Sequence, residues 1–430
     1  MNKKRILLAS ILKPVNDTRM YEKFGISLAQ TNNYEIHIAG FKIVDCPEDL
    51  GLNLNFKSQI RNPKSEIPNI FFHPLFNFKR LNIKRFFAAW KFYILLLKLK
   101  PQLIILNTPE LLIVTCLYQI IFGSKLYYDV QENYYRNIAF TKVYPPIIRN
   151  LIAILVRCLE HVTRPFIDHY FLAERNYEQE FSFSKGKSTI IENKYKVLNS
   201  KLEIGNLKSK ISLLYTGTIA EKRGIFEAVE LAKQLYEIDQ KVTLTIIGYC
   251  ALKKTLKRLI ASVSGFNFIH LIGGDKLVPH TQIIEAIPKA DFGLVSYQPN
   301  KSTENCIPTK MFEYMAHKLP MIVQYNPLTK IRSTNYEVRK SKFETRNSKF
   351  EIPACAEASA GRQNHNWESF CRQYNAGIII DYKHFDPKTL YSKMLTQKFY
   401  PEGTTKEVFW DTEEEKLIDL VQEIMYPIKN

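Results

Sequence analysis

A chain of 430 residues exceeds what one hydrophobic core ordinarily organises, so two domains, or two with appendages, are expected. With 46% hydrophobic and 24% charged residues it has the apolar material for packed domains, which excludes a wholly disordered chain. The formal charge of +18 favours phosphate-bearing partners but does not by itself choose among nucleotides, nucleic acid and anionic lipid.

The chain opens K-K-R, I-L-L-A-S-I-L, which superficially resembles a signal peptide. The apolar run is short and is followed by K-P-V-N-D-T-R with no small-residue cleavage pattern, so a first buried strand is expected over 5–12. A polar loop with Asn16, Asp17 and Arg19 leads to a helix over 20–30 and a strand over 34–39, the beginning of a Rossmann-like half. The loop lacks G-x-G-x-x-G, which argues against a dinucleotide dehydrogenase, because close approach of backbone to pyrophosphate needs glycine. Asp17 has two readings: it faces the space between domains, or it caps the next helix.

Residues 42–70 read as a long loop holding at most one short strand. The stretch 78–100 reads as a helix, basic at its start and rich in aromatics. Such a helix can lie on an anionic bilayer, or cover the sheet as the crossover that a strand over 103–107 requires. No run reaches the ~18 uninterrupted apolar residues of a membrane span: 111–122 is too short and Lys91 interrupts 86–97. A soluble or peripheral protein is expected. T-P-E-L-L leads a buried helix to Phe122, and a strand over 125–130 ends in D-V-Q-E-N-Y-Y-R-N. A helix over 145–161, a strand over 169–173, a helix beginning at 174 and the strand S-T-I-I-E-N close this half near Asn193. The lysine-rich 195–210 reads as a linker. Seven scattered cysteines, none in a C-x-x-C pair, fit a reduced cytoplasmic setting with no metal cluster.

The second half alternates as regularly. A strand over 211–219 runs into T-G-T-I-A-E-K-R-G and a helix over 225–236, followed by strand 242–248, helix 251–262, strand 266–272 and helix 278–289. The strand 291–297 then leads through S-T-E-N-C-I-P-T-K-M-F-E-Y-M-A-H-K-L-P, with a helix starting near Thr309, to a strand over 321–325. Strand, loop, helix start, strand is the layout of a nucleotide site, where free N–H groups and the positive dipole end attract phosphate. Glu313 is expected in the first turn of that helix, where its carboxylate can accept from two neighbouring hydroxyls, as a ribose diol requires. The structural alternative is that Glu313 complements the helix dipole while Tyr314, Met315 and Ala316 pack in a core.

The pattern N, two residues, P-x-K, two residues, E-Y-M-A resembles the donor-site motif of retaining glycosyltransferases of the GT-B fold, family 4. In that motif two glutamates bracket seven residues; the first position is Asn305 here, an uncharged amide, with Glu304 one residue out of register. The resemblance extends to Gly217, Arg223 and Gly224, with Thr218 where many members have Arg. It extends also to Asp129 and Glu132 of a D-x-H-E-like segment, with Gln131 where His is commoner. A salt-bridged loop carboxylate is the other reading of Glu132. The resemblance covers nearly the whole chain. It implies an α/β protein of GT-B architecture, with two Rossmann-like domains facing across a cleft.

Residues 329–366 fall outside the pattern: R-K-S-K-F-E-T is followed at once by R-N-S-K-F-E-I, a near-repeat, and then A-C-A-E-A-S-A-G. An exposed, poorly ordered insertion is expected, because such sequence cannot bury enough apolar surface to offset its chain entropy. Helix 367–374, strand 377–382 and helix 387–395 follow. An amphipathic helix with Thr412 as N-cap ends the chain, and in the family such a helix returns to the N-terminal domain. The expected organisation is an acceptor-side domain over 1–194, linker 195–210, a nucleotide-sugar domain over 211–400 and a tail over 401–430.

The resemblance implies transfer, with retention, of a sugar from a nucleotide diphosphate donor to a hydroxyl of a growing, lipid-linked surface glycan. Arg223 and Glu313 are expected to carry catalysis and donor binding, joined in donor binding by Gly217, Thr218, Asn305 and Lys310. Asp17, Asp129 and Glu132 are expected on the acceptor side. No cofactor, metal or nucleic acid is expected. The setting is cytoplasmic, with an anionic membrane surface at the inner face of the plasma membrane as a partner. The alternatives are a GT-B sugar-nucleotide epimerase and a non-catalytic, membrane-associated scaffold of polysaccharide assembly.

Overall fold

The computed structural model describes residues 3–41, 67–78, 85, 87–140, 145–197, 210–300, 303, 306–326, 366–401 and 403–427. Asn305, the basic stretch around Lys84, nearly all of the 329–366 insertion and most of the linker lie outside them. The chain forms two compact units, Met1–Ser200 with Lys406–Asn430, and Lys201–Thr405.

In the first unit β1 (Lys4–Pro14) is followed by a π-helical segment, Thr18–Gly25, that runs into α1 (Ile26–Gln30) and β2 (Tyr34–Phe41). Then come β3 (Ile70–Phe76), α2 (Ala88–Leu99), β4 (Leu103–Leu106), α3 (Leu112–Phe122) and β5 (Lys125–Val130). Helices α4 (Tyr134–Ala139) and α5 (Pro146–Thr163), β6 (His169–Leu172), α6 (Tyr177–Glu180) and β7 (Ser188–Ile190) complete the run. Among the described residues these strands form a seven-stranded sheet of order β3-β2-β1-β4-β5-β6-β7, with every pairing parallel. Parallel strands are covered on both faces, which is why I-L-L-A and L-I-I-L read as continuous apolar runs and lie fully buried.

Three expectations need correction in this unit. The single helix expected over 20–30 begins at Thr18 and is wound as a π-helix over Thr18–Gly25, which accompanies the burial of Arg19, Glu22 and Lys23. Strand β3 extends beyond the loop assigned to 42–70; His73 and Pro74 interrupt its apolar pattern, and proline is tolerated because β3 is an edge strand. Helix α3, expected to be buried, exposes Ile113, Leu117 and Ile120.

The second unit contains β8 (Ser212–Thr216), α7 (Ile225–Ile238), β9 (Thr243–Tyr249), α8 (Lys253–Val263), β10 (Ile269–Gly274) and α9 (His280–Ala286). It continues with β11 (Phe292–Val295), α10 (Thr309–Ala316), β12 (Met321–Gln324), α11 (Trp367–Gln373), β13 (Gly377–Ile380) and α12 (Pro387–Thr396). The described strands make a six-stranded sheet of order β10-β9-β8-β11-β12-β13, again parallel throughout. Its core joins Leu213 and Tyr215 of β8 to Ala228 and Leu235 of α7 and Leu390 and Met394 of α12. The two ends of the undescribed 327–365 stretch meet. The Asn326 amide donates to Glu368 Oε2 at 2.9 Å and Trp367 Nε1 donates to the Gln324 carbonyl at 2.8 Å.

The last helix, α13 (Asp411–Met425), belongs to the first unit, where Trp410, Leu417, Val421 and Met425 pack with Phe24 and Ile26. Trp410 Nε1 donates to Ser27 Oγ at 2.9 Å, and Lys196 bridges Ser27 Oγ and Glu414 Oε1, each at 2.8 Å. Thr412 is not the N-cap: the helix begins at Asp411 without a side-chain cap, and Thr412 Oγ1 accepts from Lys194 Nζ at 3.2 Å.

Candidate functional site

In the second sheet the direction of strand succession reverses between β8 and β11. Loops leaving the carboxyl ends of such a pair diverge, and ligands of open α/β sheets bind in the crevice that results. Because all strands run parallel, the segments after β8, β10 and β11 leave from this same edge. They carry Gly217 to Arg223, then His280, and then Tyr297.

After β8 the chain turns at Gly217, whose φ of +92° suits glycine. Thr218 is exposed, and its carbonyl accepts from the Tyr215 hydroxyl at 3.2 Å. A 3-10 turn, Glu221–Arg223, then delivers Gly224 (φ +72°) as the N-cap of α7. Gly224 lies against the backbone after β11: a Cβ there would stand 1.7 Å from the Ser296 carbonyl oxygen. This contact fixes Arg223 beside Tyr297. Arg223 Nη1 donates to the Tyr297 hydroxyl at 2.5 Å, and the guanidinium lies 5.3 Å from the ring centre.

Lys310, the second residue of α10, lies near the same ring and is only 7% exposed. Its Nζ lies 4.1 Å from the Tyr215 ring centre, 5.7 Å from that of Tyr297, and donates to the Leu294 carbonyl at 3.5 Å. Burial, then the Arg223 charge, pulls its ammonium down to about 7, against a smaller opposing pull from Glu313. Two basic side chains thus lie beside one aromatic ring at the sheet's switch point. Glu313 is the fifth residue of α10, beyond the first turn where it was expected. Its carboxylate is held by His280, whose Nε2 donates to Oε1 at 3.1 Å. The structure thus brings Gly217, Arg223, Lys310 and Glu313 to one edge of one sheet.

His280 and Tyr297 were missed from sequence. Tyr297 ends the apolar run after β11 and reads as core, and it is 4% exposed. The available signal for His280 was its place directly after Pro279 at a helix start on the same edge.

In the first unit Arg19 links two of the predicted acceptor-side residues, Asp17 through its amide and Asp129 through its guanidinium. Asp17 caps the π-helical segment, its Oδ1 accepting from the amides of Arg19 at 2.8 Å and Met20 at 2.7 Å. Of its two readings the capping one describes its contacts. Asp129 is fully buried, with a bidentate ion pair to Arg19 at 2.6–3.1 Å and a bond from Gln131 Nε2 at 2.8 Å. Arg19 also donates to the Ile191 carbonyl and to Asn193 Oδ1. Asp129 thereby ties β5 to the segment after β1. Glu132 is half-buried and accepts from Asn137 Nδ2 at 2.7 Å. Among the described residues no group of three or more His, Cys, Asp or Glu side chains is placed to hold a metal ion.

No protein-family model matches the chain, and no curated protein matches it in sequence. Solved structures match in fold. Sucrose-phosphate synthase (tll1590) from Thermosynechococcus elongatus superposes with a TM-score of 0.63, over 98% of this chain and 99% of that one, at 12% identity. Anabaena Alr3699/HepE in complex with UDP and glucose gives 0.56 over 98% and 99% at 11% identity. Trehalose-6-phosphate from E. coli bound with UDP-2-fluoro glucose gives 0.53 over 98% and 96% at 12% identity. These neighbours are GT-B proteins, and with its two parallel α/β sheets this chain has the GT-B fold.

Proposed function

We propose that this chain is a glycosyltransferase that binds a nucleoside diphosphate sugar in its second unit. It transfers the sugar with retention to a hydroxyl of a growing, lipid-linked surface glycan at the inner face of the plasma membrane. The observation that carries the reading is the cluster of Arg223, Lys310 and Glu313 around Tyr297 at the β8/β11 switch point. Two fold neighbours hold UDP-type ligands on the same architecture, which supports a nucleotide sugar as donor.

In this scheme the bond between the sugar's anomeric carbon and the diphosphate breaks, and a bond to the acceptor oxygen forms on the same face. The acceptor proton passes to the departing phosphate oxygen, so no protein base is assigned. Arg223 offers a planar, permanently charged fork to two phosphate oxygens, and Lys310 adds a second charge as the leaving group develops its own. Charge stabilisation by these side chains and by the free N–H groups of α7 and α10 accounts for a reaction without a metal or other cofactor. Glu313, steadied by His280, accepts from the ribose hydroxyls. Asn305 holds the donor sugar by neutral hydrogen bonds, and Glu132 stands on the acceptor side. Asp129 and Asp17 serve these loops by shaping them.

The test is calorimetric binding of UDP-, GDP-, ADP- and TDP-sugars, without and with added metal, to the wild type and to Arg223→Ala and Glu313→Ala. One nucleotide should bind without metal, and both variants should lose at least tenfold in affinity. Absence of binding to every donor would overturn the reading in favour of the scaffold.

A further inference from the structure

The helices that cover one face of the first sheet carry apolar side chains on their outer surface as well as their inner one. Along α2, Trp90 and Ile94 are 65% and 51% exposed, one turn apart. Along α3, Leu117 and Ile121 repeat the spacing at 53% and 63%, and along α5 Ile147, Leu151 and Leu155 are exposed by 85%, 57% and 58%. Helix α3 neighbours both α2 and α5, so the three stripes lie on adjacent helices. Large apolar side chains left exposed on three adjacent helices mark an interaction site.

Charge identifies the partner. The sequences of α2 and α3 contain no acidic residue, and α2 carries exposed Lys91 and Lys98. The one acid of α5, Glu160, is 1% exposed, turned inward to the Tyr128 hydroxyl and to Arg157. An apolar face with basic residues and no exposed carboxylate complements acyl chains beneath anionic headgroups. A neighbouring protein surface would more ordinarily be met by charges of both signs at the rim. No described helix is long and apolar enough to cross a membrane, so such a face would enter one leaflet and lie in its plane.

The geometry points to the outer face of α2, α3 and α5 as a docking surface for an anionic lipid bilayer, with Trp90 inserted at the level of the headgroups. The assignment does not rest on the donor site, which lies in the other unit, and it stands or falls without it. Trp90 supplies the readout. Of the three tryptophans, Trp367 and Trp410 are fully buried, so vesicle-dependent fluorescence changes report Trp90.

The full chain is mixed with vesicles of phosphatidylglycerol and phosphatidylethanolamine containing brominated acyl chains, and with phosphatidylcholine vesicles as control. On the anionic vesicles the emission should shift to the blue and be quenched, and the protein should float with the lipid. Leu117→Glu and, separately, the highly exposed Ile147→Glu should each lower partitioning at least tenfold while leaving the melting temperature unchanged. Wild-type protein that neither floats nor is quenched would overturn the assignment. So would sedimentation showing a dimer that Leu117→Glu splits, because the face would then belong to a second copy of the chain.

Discussion

Lys310 joins burial, charge and ligand chemistry in one side chain. Burial, and then the Arg223 charge, penalise its charged form and pull its ammonium down to about 7 in the folded protein. The folded value lies below the ordinary one of 10.5, so between the two the unfolded chain binds the extra proton. Stability from this residue therefore rises with pH from about 7 towards 10.5 and is level below that window. A bound diphosphate favours the charged form and reverses the penalty. At pH 8, binding of a nucleotide sugar should take up close to one proton, read from heats in buffers of different ionisation enthalpy. Affinity should weaken as pH rises above 7, by at most about tenfold per unit. Lys310→Met should bind weakly without proton uptake; a wild type that takes up none would separate Lys310 from the phosphates. His280 bears on donor affinity as well. It anchors the Glu313 carboxylate, so His280→Ala should weaken donor binding by about tenfold, the worth of one charge-assisted hydrogen bond. His280→Gln, which keeps a donor, should recover part of it. A lowered melting temperature with unchanged affinity would contradict that role.

Elements explain which parts of the chain were legible in advance. Buried parallel strands are continuous apolar runs, and most of those expected from sequence lie within a few residues of those observed, from β1 to β13. Strand β3 escaped because His73 and Pro74 break its run, and the π winding of Thr18–Gly25 has no periodicity that distinguishes it from an α-helix. Helix α3 reads as buried because it is apolar all round, and periodicity cannot say which face lacks a neighbour. The site motifs were legible as local spacings. The ion pair of Arg19 and Asp129 was not, since its partners are 110 residues apart. The junction of β8, Gly224 and β11 offers the prediction at this scale. Gly224→Ala forces a Cβ to within 1.7 Å of the Ser296 carbonyl at a φ of +72°. It should destabilise the protein by roughly 1–3 kcal/mol in chemical denaturation and weaken donor binding by displacing Arg223. Unchanged stability would mean that this close approach does not hold Arg223 in place.

At the scale of the whole molecule, the two sheets share a plan and differ in what their switch points hold. The first sheet reverses between β1 and β4, and the segment after β1 spends its charged groups inward, Asp17 on a helix start and Arg19 on Asp129. The second reverses between β8 and β11 and gathers Arg223, Lys310 and Glu313 there. On this asymmetry rests the proposal that donor recognition belongs to the second unit. The most direct measurement compares, by calorimetry, the nucleoside diphosphate that binds with its monophosphate and with its 2′,3′-dideoxy analogue, in wild type, Arg223→Ala and Glu313→Ala. The account predicts that Arg223→Ala removes the preference for diphosphate over monophosphate and keeps the preference for the ribose diol. Glu313→Ala should do the reverse. Variants that weaken all three ligands equally, or none, would contradict a donor site built from these two residues.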